Sequence, residues 1–143
     1  MMIIKPFIKQ HFEQLALQPR QAMMKPLLLT PGYAEELEKS FAFTGFVDDR
    51  IIACAGIQPM WSGVGKIWAV LAQDIGGYGL LAVHKAVRRV LAMRPERRLE
   101  AEIDSSFEEG HRWIKMLGGF VFEGTMRGYA PDGRDCDRYA RVV

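Results

Sequence analysis

The 143 residues predict an α+β sandwich: a mixed, mostly antiparallel sheet of about seven strands with about four helices. Three observations lead there. Strand-like segments near both ends of the chain follow one another as hairpins. A single strand–helix–strand unit, from Lys66 to Asp104, occupies the middle, where a parallel connection fits. Ile51–Gln58 and Lys66–Ala72 run apolar without alternation, as strands covered on both faces do. Helices are therefore expected on both sides of the sheet, which makes three layers.

The elements follow in order. Met1–Phe7 reads as a strand stopped near Pro6, and Lys9–Leu17 as a helix broken at Pro19. Gln18–Leu29, with Pro19 and Pro26, takes no assignment. Thr30 as N-cap and Pro31 at the first helical position open a helix Pro31–Ser40. Phe41–Val47 and Ile51–Gln58 are strands joined by the turn Asp48-Asp49-Arg50, and Met60–Gly65 is a second turn. The strand Lys66–Ala72 leads through a glycine-rich turn to a helix Leu80–Met93. Arg98–Asp104 alternates, with Leu99, Ala101 and Ile103 on one face and Glu100, Glu102 and Asp104 on the other. Glu108–Leu117 is a helix stopped by Gly118-Gly119. Phe120–Tyr129 and Asp135–Val143 are strands joined at Pro131-Asp132-Gly133.

Composition narrows the function classes. A hydrophobic share of 49% and a charged share of 25% are those of an ordinary globular protein. No apolar run approaches the ~20 residues of a membrane span, and Met1–Phe7 lacks the parts of a signal peptide. A cytoplasmic protein that does not enter a membrane is expected. Cys54 and Cys136 lack metal-type spacing, as do His11, His84 and His111, so two buried thiols and no metal are expected. A net charge of +2 gives no general pull on nucleic acid. Lys85–Arg98 holds six basic residues against Glu96 alone, but no aromatic side chain is interleaved, so nucleic-acid binding is not expected.

The turn Gln73-Asp74-Ile75-Gly76-Gly77-Tyr78-Gly79 is the most informative segment. It joins a buried strand to a helix. Orphan amides and the helix dipole at such a junction favour an anion, commonly a phosphate. The plainer reading is a tight connection.

With this order in place, the chain resembles the GNAT superfamily of acyl-CoA-dependent N-acyltransferases over nearly its whole length. Gln73–Gly79 is similar to the superfamily's Gln/Arg-x-x-Gly-x-Gly/Ala pyrophosphate loop, with Tyr78 two residues after Gly76. Met116-Leu117-Gly118-Gly119-Phe120, followed by Glu123-Gly124 and Tyr129, resembles its C-terminal signature, with one extra glycine. A narrower likeness is to a phage and prophage branch that includes podophage internal virion proteins. It rests on the Trp-bearing strand before the loop and on Arg112-Trp113-x-x-x-Leu117-Gly118. Members of that branch need not be enzymes.

The resemblance implies one GNAT-like domain over 1–143 that takes acetyl-CoA, or a related CoA ester, and passes the acyl group to a small-molecule or peptide amine. It implies that a backbone N–H near Val70 or Leu71 holds the thioester carbonyl and that Gln73, Ile75, Gly76, Gly77, Tyr78 and Gly79 hold the pyrophosphate. In many members a tyrosine on the last helix protonates the leaving thiolate. Here that position is Ile114, and the helix has no tyrosine. Candidates for the proton-transfer roles are Asp104, His111 and Tyr129. Each has a plainer reading: Asp104 as a turn cap, His111 as a surface or packing residue, Tyr129 as a sheet residue. His84 is expected at the core rim, and Trp61, Trp68 and Trp113 in the core, Trp61 otherwise bordering a substrate cleft. The alternative is a catalytically silent phage-derived module that partners virion or assembly proteins. The apolar last strand leaves a homodimer open.

Overall fold

The computed structural model describes residues 1–15 and 31–143. Seven strands form one sheet: β1 (Ile3–Pro6), β2 (Phe41–Val47), β3 (Arg50–Trp61), β4 (Val64–Leu71), β5 (Arg98–Asp104), β6 (Val121–Met126) and β7 (Cys136–Val142). Among the described residues the helices are α1 (His11–Gln14), α2 (Tyr33–Lys39), α3 (Gly76–Met93) and α4 (Glu108–Leu117). The strand order is β1-β2-β3-β4-β5-β7-β6, antiparallel throughout except for the parallel pair β4–β5. The mixed sheet expected from the element order is therefore present, with the β-α-β unit at its centre.

The hairpins carry the turn chemistry their residues allow. Asp48 and Asp49 both lie at positive φ, 50° and 62°, as a two-residue turn between twisted strands requires, and Asp accepts that conformation better than most residues. β3 runs on to Trp61, beyond the expected end at Gln58, because Val64 pairs with Trp61 and leaves a shorter turn with Gly63 at φ 79°. The register slips between Pro59 and Trp61, where proline has no N–H to give the ladder. Trp61 is 65% exposed at this tip, so it is not a core residue.

Two helix starts differ from expectation. α2 begins at Tyr33, with Gly32 at φ 90° before it; the carboxylate of Glu35 accepts the Gly32 N–H at 2.9 Å. Thr30, the expected cap, lies outside the described residues, as does 16–29, with the whole of the unassigned stretch and the end of the Lys9–Leu17 helix. α3 begins at Gly76, not Leu80, so the glycines form its first turn rather than a loop ahead of it. Low glycine propensity argued for the later start; the sheet packing of Gly79, described below, overrides it.

The core divides by face. Phe7, Phe12, Leu37, Cys54 and Val70 pack on the side of α1 and α2. On the side of α3 and α4 the core is split into two clusters. One is built on Ile57, Leu91, Leu99, Ile114 and Leu117, the other on Ile52, Ala53, Leu71 and Val83.

Candidate active site

The site originates in a break in the sheet. β4 and β5 pair over only three positions, Val64 with Arg98, Gly65 with Leu99 and Lys66 with Glu100. Past these, β4 stays joined to β3 as far as Leu71, and β5 stays joined to β7 as far as Asp104. The two strands thus diverge, held apart by their outer neighbours. A cavity of about 730 Å³ opens at the divergence, lined by Ile67 to Val70 from one strand and Ala101 to Asp104 from the other.

At the C-terminal end of β4 the chain enters α3. Ala72 N–H donates to Ile52 in β3 at 2.8 Å. Strand alternation then turns the N–H of Val70 toward β3 as well, and that of Leu71 to the edge facing the divergence. Among the described residues no side chain caps the first turn of α3. Gly76 lies at φ 69°, and a Cβ at Gly76 or Gly77 would meet nothing within 4 Å among the described residues. This turn therefore presents amides to open space, with the helix dipole behind them. Gly79 has another role: it is buried, and a Cβ there would stand 2.8 Å from Ile75 and 3.3 Å from Ile52. It lets α3 approach the sheet. Tyr78 is 60% exposed, and Gln73 is exposed. Asp74, next in the loop, is paired with Arg50 of the β2–β3 hairpin.

The α1/α2 face of the divergence is polar. Glu102 receives three donors on one oxygen: the Tyr129 hydroxyl at 2.7 Å, Arg138 at 3.0 Å and Lys66 at 3.3 Å. Burial, and then the carboxylate of Glu102, push the Tyr129 hydroxyl up to about 12. Arg138 also reaches Glu100 at 3.0 Å, and Arg98 reaches Glu100 at 2.8 Å. Tyr33, its hydroxyl also raised, chiefly by burial, and Trp68 line the same cavity. The indole Nε1 of Trp68 has no hydrogen-bond partner among the described residues.

Of the three proton-transfer candidates, Asp104 and Tyr129 line the cavity and His111 does not. Asp104 is engaged at both oxygens. One accepts from the Ser106 N–H at 2.8 Å and its hydroxyl at 2.7 Å, the other from Arg134 at 3.2 Å. Burial alone would raise its pKa, but these donors together leave it below the ordinary carboxylate value. His111 Nε2 faces the carbonyls of Asp104 and Ser105, each at 3.1 Å, and so carries the proton. Its Nδ1 then accepts from the Tyr139 hydroxyl at 2.8 Å, which ties α4 to β5 and β7. Ile114 is buried against the cavity, so α4 brings an apolar wall where the resemblance places a hydroxyl.

Glu102, Lys66 and Arg138 form the constellation that sequence reading missed. The alternation of β5 placed Glu102 on a carboxylate face, but its partners come from β4 and β7, remote in sequence. The basic run Lys85–Arg98 is partly consumed by local pairing, Arg94 with Glu96 at 2.7 Å and Arg98 with Glu100 and Glu123. His84 accepts the indole N–H of Trp113 at 3.1 Å, at the half-buried rim expected of it. Both cysteines are buried and free. Among the described residues no group of three or more His, Cys, Asp or Glu could hold a metal ion, and no helix is long and apolar enough to cross a membrane.

The fold that sets these elements side by side is shared with solved acetyltransferases. The chain matches the ribosomal-protein-S18-alanine N-acetyltransferase from Escherichia coli with a TM-score of 0.73 at 19% identity, covering 100% of this chain and 94% of that one. It matches an acetyltransferase of the GNAT family from Streptococcus pneumoniae with a TM-score of 0.66 at 14% identity, covering 100% and 99%. The fold is the GNAT fold. Ard1 from Thermoplasma volcanium shares it as well, with a TM-score of 0.72 at 16% identity, covering 99% and 97%. These identities show likeness of fold across the whole chain. No family model matches the sequence, and no curated protein does. The narrower likeness to the phage branch gains no support from these comparisons.

Proposed function

We propose that this GNAT-fold chain is an acyl-CoA-dependent N-acyltransferase, taking acetyl-CoA or a related CoA ester and an amine acceptor. The observation that carries the reading is the continuity of three parts: the uncapped first turn of α3, the divergence of β4 and β5, and the cavity that fills it. Together they offer amides for a pyrophosphate and a chamber for the thioester and the amine. The open space over Gly76 and Gly77 fits a phosphate approaching the backbone, whereas Gly79 serves packing. A cytoplasmic setting goes with this reading.

The acyl donor would supply a thioester whose acyl group passes to the amine. For the acceptor, Glu102 is the carboxylate that attracts the ammonium and takes its proton, and Tyr129 and Arg138 hold it in place. Asp104 and His111 are bound into turn and helix contacts and serve as structural residues. Tyr129, with its hydroxyl pushed up to about 12, is a poor proton donor to a leaving thiolate whose thiol has a pKa of ~8.5. The thiolate therefore takes its proton from solvent or from the proton that the amine releases.

Calorimetry with CoA and acetyl-CoA tests the binding half. Saturable binding is expected, and Gly77→Glu, which places a carboxylate in open space before the amides, is expected to weaken it at least tenfold. Gly77→Ala should bind as the native chain does. Absence of heat at millimolar CoA, or equal affinity in Gly77→Glu, would overturn the assignment. One observation favours a second reading, a module that binds CoA without transfer: the buried Ile114 in place of a hydroxyl on α4. Acyl transfer to an amine panel decides between them, since binding with no turnover belongs to the silent module.

A further inference from the structure

The cavity reaches well beyond the divergence of β4 and β5. The register sets Phe43 opposite Ala55 and Ala55 opposite Ala69, so one row crosses β2, β3 and β4 on the side of α3. The neighbouring row is Phe41, Ile57 and Ile67, all large; the row on the other side begins with Gly45 and Ala53. Small side chains at Ala53, Ala55 and Ala69 therefore sink a trough across β3 and β4, which opens into the divergence at Ala101 and is closed at β2 by Phe43 and by Met2, whose side chain covers Gly45. α3 roofs it with Val83, Ala86, Val87 and Val90. The split in the core on this side coincides with the trough, and Val87 and Trp113 touch both clusters. Interiors are ordinarily packed as tightly as organic crystals, so a part of the cavity that extends between a sheet and its helix offers room for an apolar ligand.

We propose that the trough houses a linear, medium-length acyl chain of the donor thioester, so that the preferred donor is a medium-chain acyl-CoA rather than acetyl-CoA. The inference rests on the acyl-CoA reading above. Two features favour a chain on the donor over one on the acceptor. The trough lies on the face of α3, whose first turn would hold the pyrophosphate, and the opposite face carries the charged groups Lys66, Glu102 and Arg138. From β4 to its closed end at β2 the trough crosses two strand spacings, about 10 Å, which an extended chain of about eight carbons spans. An acetyl group would leave it empty.

Calorimetry with CoA, acetyl-CoA and octanoyl-CoA on the full chain tests this. Each buried methylene strengthens binding by up to about fourfold, so the six added in octanoyl-CoA are expected to tighten it at least tenfold over acetyl-CoA. Ala55→Leu fills the trough from the sheet and should reduce that preference to threefold or less, with acetyl-CoA affinity unchanged. Val90→Phe fills it from the roof and serves the same purpose if Ala55→Leu does not fold. Octanoyl-CoA binding no tighter than acetyl-CoA overturns the inference and leaves the acyl-CoA reading standing. The same holds for a preference that both filling variants leave intact. Octylamine binding that Ala55→Leu abolishes would assign the trough to the acceptor and also overturn it. Failure of all three CoA compounds to bind overturns the acyl-CoA reading itself, and this inference with it.

Discussion

The two faces of β5 are made from seven consecutive residues, and they do opposite work. Leu99, Ala101 and Ile103 face α3 and α4, and Leu99 is wholly buried. Glu100, Glu102 and Asp104 face the other way; Glu100 and Asp104 are as buried as core residues, yet charged. The apolar face is held by packing that any well-shaped hydrocarbon could supply. The acidic face is held by guanidinium and ammonium groups from β4, β5, β7 and the β6–β7 turn: Lys66, Arg98, Arg138 and Arg134. Buried charge is costly unless paired, so the polar face tolerates little change in its partners. A single strand thus contributes both stability and a polar site, because alternation separates the two tasks by one residue.

Substitutions on either face can break this division. Leu99→Ala should cost about 3–4 kcal/mol of stability, read from urea unfolding, since it opens a cavity in a closed core. A loss below about 1 kcal/mol would mean that the apolar face does not carry the fold. Glu102→Gln should lower turnover with an amine about a hundredfold while costing less stability than Leu99→Ala, because Arg138 keeps Glu100 as a partner. Equal turnover would remove Glu102 from the site, and a large stability loss would put it with the structural carboxylates. Asp104→Asn should alter the pH dependence of stability instead. The folded-state pKa of Asp104 lies below its unfolded value, so its contribution is present above pH ~4 and fades as pH falls through the folded value. The native chain and the variant should therefore differ most near neutrality and converge below pH ~4, and a pH-independent difference would contradict the depressed pKa. Tyr129→Phe should have the smallest effect, about threefold on turnover, because the hydroxyl orients Glu102 and transfers no proton. A hundredfold loss would make Tyr129 the acid after all.

Elements were most legible where local chemistry and tertiary packing agree. The helix Glu108–Leu117 and the strand Arg98–Asp104 fall at their expected bounds, because an amphipathic period and a strict alternation each admit one reading. α3 starts earlier than its residues suggest, since three glycines in four residues speak against a helix locally, yet the sheet needs the bare backbone of Gly79 to pass close to Ile52 and Ile75. Trp61 misled in the same way: its residue type argues for burial, and its position at a hairpin tip prevents it.

By itself the sequence determined the element order, the one parallel connection, the two faces of β5 and the position of the glycine-rich turn before α3. These depend on periodicity and on residues near one another in the chain. Only the tertiary structure decided that β4 and β5 part after three pairs, that Glu102 gathers Tyr129, Lys66 and Arg138, and that three alanines on neighbouring strands sink one trough. Those features depend on register between strands, which sets residues far apart in sequence side by side and leaves no trace in any one segment.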